Sequence, residues 1–305
     1  MIRASRHDYI ELSYIYGVAV VIVVFLSLVA LPVDTANFGL IVPKVEEAEF
    51  SPYTPEAFND VVVKAEAYIV YDLVDKKVIA QRNSTIQLPL ASITKVMTAV
   101  TARTHHEKET KITISPGSID EGYDLGLKKG QVWKLDELLK YTLVFSSNDG
   151  AHAIADGLGG REKFIEQMNT DSALLGLAFT FTDPAGLDVG DEIGGKGTAL
   201  DVAKLFGIAR KRYPEIFEST TKTRLNVFAS KDPITGIPNT NQEITNLFGA
   251  EASKTGFTDS AGGNLGVVVD VALGHPVVIV VLGSTREARF VDTENLYKAL
   301  LQSIK

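Results

Sequence analysis

The sequence predicts an α+β fold, in which a five-stranded antiparallel sheet flanked by helices lies beside a mainly helical lobe. Short runs rich in β-branched residues occupy both ends of the folded region, whereas segments with helical spacing fill its middle third. The early and late strands can therefore pair in one sheet, and the segment between them forms the second lobe. A ligand site is expected in the cleft between the lobes.

Five runs are predicted to be strands. The first two form a hairpin around a polar turn at 75–77, and the last two are joined by a Gly-His-Pro turn at 274–276. The predicted strands are 64–72, 78–81, 252–258, 265–271 and 277–283.

Helical spacing of apolar residues predicts six helices. Thr198 is expected to cap the fifth, because a threonine side chain can accept a hydrogen bond from a free N–H group of the first turn. The predicted helices are 92–106, 135–142, 151–158, 162–175, 199–212 and 289–304.

A Gly-rich stretch at 190–197 nearly matches a phosphate-binding loop. Gly197, however, stands where that loop requires a serine or threonine to bind magnesium, and no predicted strand leads into the stretch. We therefore predict a flexible loop rather than a nucleotide site.

Composition excludes several classes of protein. The 305 residues carry a net charge of −8, which argues against a nucleic-acid partner, since phosphate binding requires a basic surface. The chain contains no cysteine, and this excludes disulfides, thiolate nucleophiles and cysteine-bound zinc.

The N-terminal region indicates a membrane anchor. Residues 14–33 are uncharged and almost wholly apolar, long enough to span a bilayer, with two arginines before them and three glutamates after them. A cleaved signal peptide is the alternative, but the run is longer than a usual signal core. We expect a cytoplasmic N-terminus at 1–13, a transmembrane anchor at 14–33, a linker at 34–60 and a folded domain at 61–305 outside the cytoplasm.

Ser92 and Lys95 begin an apolar helix and lie three positions apart, so they share one helix face. A serine hydroxyl becomes a good nucleophile when a neighbouring base takes its proton, and a lysine whose pKa is lowered by burial can be that base. Ser-x-x-Lys is a weak pattern, and a second copy, Ser219 to Lys222, lies in a polar stretch with no apolar helix behind it.

Two further motifs add to this pair. Ser146-x-Asn148 is expected at a turn between helices, and Lys254-Thr255-Gly256 on a strand. Each alone is compatible with a simple turn or strand end. Together with Ser92 and Lys95, they would supply a nucleophile, a lysine base, a hydroxyl relay, an amide and a cationic hydroxyl pair.

These three motifs resemble those of penicillin-binding proteins and serine β-lactamases. The flanking residues are most similar to the low-molecular-weight D-alanyl-D-alanine carboxypeptidases, and this resemblance covers roughly residues 61–305. It rests on 90–99, 146–149, 164–169, 183–188, 239–241, 254–258 and 261–262. The resemblance implies a β-lactamase/transpeptidase-like fold.

The resemblance also implies roles for the site residues. Ser92 would attack the bond between two terminal D-alanines of a peptidoglycan stem peptide, Lys95 would accept its proton, and Ser146 would relay a proton to the leaving D-alanine. Asn148 would contact the substrate amide. The terminal carboxylate would be bound by Thr255 with Lys254 nearby, next to Gly256, and the oxyanion by the backbone N–H groups of Ser92 and Phe257.

In that scheme no metal or organic cofactor is needed, and β-lactam antibiotics are expected to act as covalent inhibitors. The five histidines lie outside the three motifs, which fits a lysine base rather than a histidine base. His152 is interpreted as a residue of a helix surface.

Three alternatives remain open. The same site could serve a D,D-endopeptidase or transpeptidase, since these differ only in the donor peptide or the acyl acceptor. A β-lactamase is less favoured, because Glu166 and Asn169 are one residue too close for the class A deacylation pair. An inactive wall-binding module would be expected to have lost one of the three motifs.

Overall fold

A computed structural model describes residues 53–119, 127–229, 232–272 and 274–305. The predicted transmembrane segment and most of the predicted linker lie outside these ranges. Within them, no helix combines the length and apolar character needed to cross a bilayer.

The central layer is a five-stranded sheet in which every neighbouring pair is antiparallel, in the order β10-β11-β12-β1-β2. The early hairpin therefore pairs with the late strands, and the prediction of this sheet is confirmed. Its strands are β1 (Ala67–Asp72), β2 (Val78–Arg82), β10 (Ala250–Thr258), β11 (Gly262–Asp270) and β12 (Pro276–Ser284).

Helices cover both faces of this sheet. Successive side chains of a strand point to opposite faces, so alternate residues of β12 enter two different hydrophobic clusters. Val278 and Val280 pack on the side of the Ser92 helix, whereas Val277 and Ile279 pack on the side of the C-terminal helix. Because both faces are covered, the strand is apolar at consecutive positions.

The helices agree with the predicted set to within a few residues. Thr198 accepts a hydrogen bond from the Asp201 N–H at 3.0 Å, as expected of a capping residue. The helices are α1 (Thr94–His105), α2 (Leu135–Phe145), α3 (Asn148–Gly157), α4 (Arg161–Leu174), α5 (Ala199–Arg212), the short α6 (Pro214–Phe217) and α7 (Ala288–Ser303).

The second lobe contains strands that the sequence analysis missed. A four-stranded sheet runs in the order β4-β5-β8-β9, and a three-stranded sheet in the order β3-β7-β6. The alternating burial of β8 corresponds to a polar-apolar alternation in its sequence that could have revealed it. The strands are β3 (Leu88–Pro89), β4 (Lys111–Thr113), β5 (Val132–Lys134), β6 (Thr180–Phe181), β7 (Gly195–Gly197), β8 (Arg224–Ala229) and β9 (Asp232–Pro238).

The prediction of a flexible loop at 190–197 is wrong for its last three residues, which form β7. A Cβ atom on Gly195 would lie 2.3 Å from Thr94 Oγ1, and one on Gly197 would lie 2.2 Å from the Phe179 ring. Glycine is therefore required here for close packing, of Gly195 against the start of α1 and of Gly197 against Phe179, and not for flexibility.

The end of the predicted linker packs against the folded domain. Tyr53 and Phe58 are buried in the cluster beneath α7, and the Thr54 N–H donates to the Ser303 carbonyl at 2.8 Å. Residues 53–60 therefore lie against the domain rather than extending from it as a free spacer.

Asp72 connects this N-terminal segment to the sheet. Its carboxylate accepts from the Tyr53 hydroxyl at 2.9 Å and from the backbone N–H groups of Val74 and Asp75, and His275 lies 2.6 Å away. Asp72, Asp75 and His275 are close enough together to suggest a metal site. Both oxygens of the buried Asp72 are already engaged, so we interpret the group as a structural hydrogen-bond network.

Candidate active site

Ser92 lies in a tight turn that leads into α1. A 3-10 turn, Ala91–Ile93, precedes the helix, and Ala91 has φ of +48°. Such a left-handed conformation is costly for an L-residue with a side chain and persists where surrounding contacts hold it. The turn leaves Ser92 partly exposed, whereas the neighbouring Ile93 and Lys95 are buried.

Lys95 connects three elements at the centre of the site. Its Nζ lies 2.7 Å from Ser92 Oγ, 2.7 Å from Asn148 Oδ1 and 2.9 Å from the Ala185 carbonyl oxygen. Three acceptors match the three protons of an ammonium group. When the amine is neutral, its lone pair can instead take the hydroxyl proton of Ser92, which is within hydrogen-bond reach.

Ser146 and Asn148 occupy the turn between α2 and α3. Ser146 ends α2 in the left-handed conformation, with φ of +64°, and Ser147 caps α3 by accepting from the Gly150 N–H at 2.7 Å. The side chains of Ser146 and Asn148 are thereby directed to different lysines. Asn148 contacts Lys95, and Ser146 contacts the lysine of β10.

Lys254 reaches the site from the edge strand β10. Its Nζ donates to Ser146 Oγ and to the Thr255 carbonyl oxygen, both at 2.8 Å. Burial, together with the positive charges of Lys95 and Arg289, lowers the pKa of Lys254 well below its usual value. Ser146 therefore lies beside an amine that is much more easily deprotonated than an ordinary lysine.

Gly256 permits the close approach of β10 to the Ser92 turn. A Cβ atom on this residue would lie 2.8 Å from the Leu90 carbonyl oxygen and 3.3 Å from the Ile93 nitrogen. Any side chain here would push β10 away from the turn. The Lys-Thr-Gly triplet thus brings the strand into contact with the nucleophile segment.

A hydroxyl pair and two arginines lie against the segment of β10 that follows Lys254. Thr255 Oγ1 lies 2.6 Å from Thr240 Oγ1, and the Arg286 guanidinium lies 3.9 Å from the centroid of the Phe257 ring. Arg289 donates to the Gly256 carbonyl at 2.6 Å, and burial, with Arg286 nearby, lowers its pKa to about 10.

The eight residues predicted for the site lie on the Ser92 turn and the start of α1, on the turn between α2 and α3, and on β10. The structure joins Ser92, Lys95 and Asn148 on one side and Ser146 and Lys254 on the other. Several residues around this site lie outside the three motifs, namely Thr240, Ala185, Arg289, Asn264 and the His152–Asp183 pair. Thr240 and Ala185 lie within stretches that contributed to the family resemblance.

The interpretation of His152 as a helix-surface residue is wrong. Its side chain is only 14% exposed, and Nε2 lies 2.8 Å from Asp183 Oδ2. The other oxygen of Asp183 accepts from the N–H groups of Ala185 and Leu187. Asp183 therefore shapes the loop that presents the Ala185 carbonyl to Lys95, and His152 joins that loop to α3.

Asp183→Asn is expected to destabilise the protein by about 1–3 kcal/mol near neutral pH, because it weakens a buried, charge-assisted hydrogen bond. Burial raises the pKa of Asp183, but the hydrogen bond and charge of His152 and two backbone N–H groups outweigh this effect and lower it. A lowered native pKa stabilises the fold above the unfolded value of about 3.9, and this stabilisation is lost as the pH falls through the native pKa.

The difference in thermal stability between wild type and Asp183→Asn should therefore shrink as the pH is lowered from about 5 towards 2. Asp191→Asn, at an exposed position near the same loop, is the matched control. A difference that stays constant with pH would show that the charge of Asp183 is not what stabilises the loop.

Asn264 holds the Ser92 turn against the sheet. This fully buried residue of β11 donates to the carbonyls of Pro89 and Leu90 at 3.0 and 3.1 Å and accepts from the Gly283 N–H at 2.8 Å. One amide thus satisfies groups of two strands and of the turn that precedes the nucleophile. No motif in the sequence signals this role, because the three partners are brought together only by the fold.

Asn264→Ala is expected to lower the free energy of unfolding by about 2–3 kcal/mol. The Pro89 carbonyl and the Gly283 N–H lose this side chain as a partner, whereas the Leu90 carbonyl still accepts from the Ile93 N–H. Denaturant unfolding measures this change. Asn226→Ala, which removes one hydrogen bond to Gly236 at an exposed position, is the control and should cost less than about 0.5 kcal/mol. Equal losses in the two variants would contradict the role given to Asn264.

Comparison with known proteins agrees with this geometry. The model of the D-alanyl-D-alanine carboxypeptidase family matches residues 54–286. A D-alanyl-D-alanine endopeptidase of Escherichia coli is 31% identical over 236 residues, which cover 75% of this chain and 74% of that protein. The D-alanyl-D-alanine carboxypeptidase DacB2 of Mycobacterium tuberculosis is 31% identical over 199 residues, covering 65% of this chain and 67% of that protein.

Solved structures show the same fold. Penicillin-binding protein D2 of Listeria monocytogenes in its ampicillin-bound form superposes with a TM-score of 0.69 at 27% identity, covering 79% of this chain and 99% of that one. A D-alanyl-D-alanine carboxypeptidase of M. tuberculosis H37Rv superposes with a TM-score of 0.69 at 25% identity, covering 82% of this chain and 94% of that one. With its lysine-paired serine and its transpeptidase-like sheet, the chain belongs to the D-alanyl-D-alanine carboxypeptidase family of serine hydrolases.

Proposed function

We propose that the protein cleaves the D-alanyl-D-alanine bond of peptidoglycan stem peptides through an acyl-enzyme on Ser92. The observation that carries this proposal is the 2.7 Å separation of Lys95 Nζ and Ser92 Oγ at a partly exposed turn. The second Ser-x-x-Lys pair lacks this environment, because Ser219 Oγ is buried and donates to the Ile216 carbonyl.

In the first step Ser92 Oγ attacks the carbonyl carbon, and its proton passes to the neutral amine of Lys95. The contacts of Lys95 with Asn148 and Ala185 hold the amine at the nucleophile, so little reorganisation is needed when the proton moves. The backbone N–H groups of Ser92 and Phe257 are the proposed donors to the oxyanion.

The carbon–nitrogen bond then breaks, and the leaving amine needs a proton. Ser146 is the proposed relay, because its hydroxyl accepts a hydrogen bond from Lys254 Nζ at 2.8 Å. Burial, with the charges of Lys95 and Arg289, lowers the pKa of Lys254, so this amine gives up its proton more readily than an ordinary lysine. A water molecule finally hydrolyses the ester and releases the shortened peptide.

Substrate binding is assigned to the edge of β10 and to α3. The hydroxyl pair of Thr255 and Thr240 would donate to the terminal carboxylate, in the positive field of the buried Lys254 and Arg289. Asn148 would contact the substrate amide. A β-lactam carries a carboxylate and a reactive carbonyl in one rigid ring system, so it should acylate Ser92 and remain bound.

The test uses the full chain, incubated first with a fluorescent penicillin and then with a pentapeptide that ends in D-Ala-D-Ala. Lasting label together with released D-alanine is the expected result. Loss of the label within seconds would instead identify a β-lactamase, and folded protein that neither labels nor releases D-alanine would be an inactive wall-binding module.

We also propose that residues 14–33 anchor the protein in the membrane with the catalytic domain on the outer side. Support comes from the uncharged apolar run and the basic residues before it. Membrane fractionation, followed by protease treatment of cells whose outer surface is accessible, tests this proposal. Recovery of the full-length chain in the soluble fraction would contradict it.

A further inference from the structure

Arg289 is a buried cation in direct contact with the strand that borders the nucleophile. This residue of α7 is only 8% exposed, and its guanidinium donates to the Gly256 carbonyl oxygen at 2.6 Å. Gly256 in turn packs on the Ser92 turn, because a Cβ atom there would lie 2.8 Å from the Leu90 carbonyl oxygen. The guanidinium thus contacts a peptide unit that lies directly against that turn.

The surroundings of Arg289 compensate its charge only in part. Burial and the charge of Arg286 lower its pKa to about 10, although Glu287 acts in the opposite direction. Its Nε has no hydrogen-bond partner among the described residues. A buried charge is costly unless it is well paired, and such groups cluster at functional sites. The Gly256 carbonyl is the group on which this charge is directed.

The Gly256 carbonyl belongs to the same peptide unit as the Phe257 N–H. This peptide is trans and planar, so its oxygen and its N–H point in opposite directions. A donor at the oxygen draws electron density from the nitrogen through the peptide resonance, and the N–H becomes a stronger donor. A charged donor has a larger effect than a neutral one. The Phe257 N–H is one of the two proposed donors to the oxyanion.

A second arginine contacts the other residue of this peptide unit. The Arg286 guanidinium lies 3.9 Å from the centroid of the Phe257 ring, which is a cation–π contact. Arg286 is exposed, whereas Arg289 is buried. The two arginines therefore hold the residues on both sides of one peptide bond, and the buried one contacts its carbonyl oxygen.

We propose that Arg289 is a positioning residue for the acylation step, which orients the Gly256–Phe257 peptide and strengthens its N–H as a donor to the oxyanion. Arg289 acts through this peptide and does not touch the reacting atoms. Its effect should fall on the rate of ester formation, because negative charge collects on the substrate carbonyl oxygen only as Ser92 attacks. The inference rests on the proposed acyl-enzyme at Ser92.

The first test separates binding from acylation in Arg289→Met, which keeps a long side chain and removes every donor. Stopped-flow labelling of the full chain at several concentrations of a fluorescent penicillin gives the dissociation constant and the acylation rate constant. We expect the rate constant to fall about tenfold, less than for loss of an oxyanion donor itself, and the dissociation constant to change less than about threefold. An unchanged rate constant would overturn the proposal.

A substrate without a carboxylate distinguishes this role from an electrostatic effect on the terminal carboxylate. A thioester of an acyl-D-alanine donor, with an uncharged thiol as the leaving group, should acylate Ser92 through the same oxyanion. Arg289→Met should slow this reaction by about the same factor as penicillin acylation. A loss confined to substrates that carry a carboxylate would show that Arg289 acts on that group instead.

Infrared spectroscopy of the acyl-enzyme reports the oxyanion donors directly. The ester carbonyl of an isotope-labelled penicillin adduct should absorb at higher frequency in Arg289→Met than in wild type, because a weaker donor polarises the carbonyl less. An unshifted band would contradict the proposal. If Arg289→Met does not fold, Arg289→Lys and Arg289→Gln replace it. Both can donate, but only lysine is charged, so the glutamine variant should acylate more slowly, and equal rates would overturn the role of the charge.

Arg210→Met is the matched control. Arg210 also contacts β10, but its guanidinium donates to the Glu251 side chain, at 2.8 Å from Nη2 to Oε1, and not to a peptide carbonyl. This variant should acylate within about twofold of the wild-type rate, with an unshifted carbonyl band. An equal loss in Arg210→Met would show that any weakening of the strand slows acylation. Failure of the proposed acyl-enzyme itself looks different, because wild-type protein would then form no penicillin adduct at all.

Discussion

Replacing Ser92 with alanine is expected to abolish covalent labelling by penicillin and to lower kcat for D-alanine release by about 10⁴–10⁶-fold. The loss is large because the hydroxyl is the only group of the turn that forms the ester. The fold should be little affected, since Ser92 is partly exposed and its removal leaves Lys95 with two of its hydrogen-bond acceptors. Intact-protein mass spectrometry after penicillin treatment measures the adduct, and thermal unfolding checks the fold.

The chain provides its own control for this experiment. Ser219→Ala makes the same change in the second Ser-x-x-Lys sequence, where Oγ donates to the Ile216 carbonyl. This variant should label at the wild-type rate and lose about 1 kcal/mol of stability. Labelling that survives in Ser92→Ala, or disappears in Ser219→Ala, would remove Ser92 from its assigned role.

Replacing Lys95 with arginine is expected to slow acylation by about 10²–10⁴-fold, the usual contribution of general-base catalysis. Arginine keeps the positive charge but stays protonated, so it cannot take the hydroxyl proton. The lysine is also completely buried among three acceptors, where a wider planar guanidinium would disturb the contacts with Asn148 and Ala185. Stopped-flow or quenched labelling with a fluorescent penicillin gives the acylation rate.

Lys222→Arg is the matched control, because Lys222 occupies the same position in the second motif and is exposed. It should acylate as fast as wild type. Acylation of a folded Lys95→Arg protein within tenfold of the wild-type rate would mean that another group, such as Lys254 acting through Ser146, removes the proton from Ser92.

The sheet was predictable because its information is local. Alternation, β-branched composition and turn residues marked the hairpin and the three late strands, and the buried faces of β12 explain why that strand is apolar throughout. The helix cap at Thr198 was predictable for the same reason, because a capping residue is recognised from its position just before the helix. In the four-stranded sheet of the second lobe, β4 and β5 contain only three residues each, too few to display a period, whereas the alternation in β8 was present and was overlooked.

The reactive residues were predictable for a different reason. Ser92 and Lys95 are related by one helical turn, and Ser146 and Asn148 by one tight turn, so each motif carries its geometry within a few residues. Lys254 joined them through the family resemblance, and the structure then placed its amine 2.8 Å from Ser146. Five of the eight predicted residues make side-chain hydrogen bonds with one another, and these are Ser92, Lys95, Asn148, Ser146 and Lys254.

The supporting contacts depend on tertiary packing. Asn264 and Leu90 are far apart in the sequence, as are His152 and Asp183, and Thr240 and Thr255 belong to different elements. No local pattern encodes which buried amide will meet which carbonyl, because the partner is chosen by the register of the sheet and by the position of a loop. The same holds for the cavity of about 500 Å³ that Thr240 and Arg289 line, because its walls come from several separate stretches of chain.

Local sequence patterns and long-range packing contacts therefore determined different features of this protein. Ser92 and Lys95 were found from residue types at short spacing and the strands from regular spacing. The order of the three motifs gave the family resemblance, which in turn implied the chemistry. The left-handed turn at Ala91 and the orientation of Lys95 were decided by packing. These features depend on close contacts between distant segments, and such contacts exist only once the chain has folded.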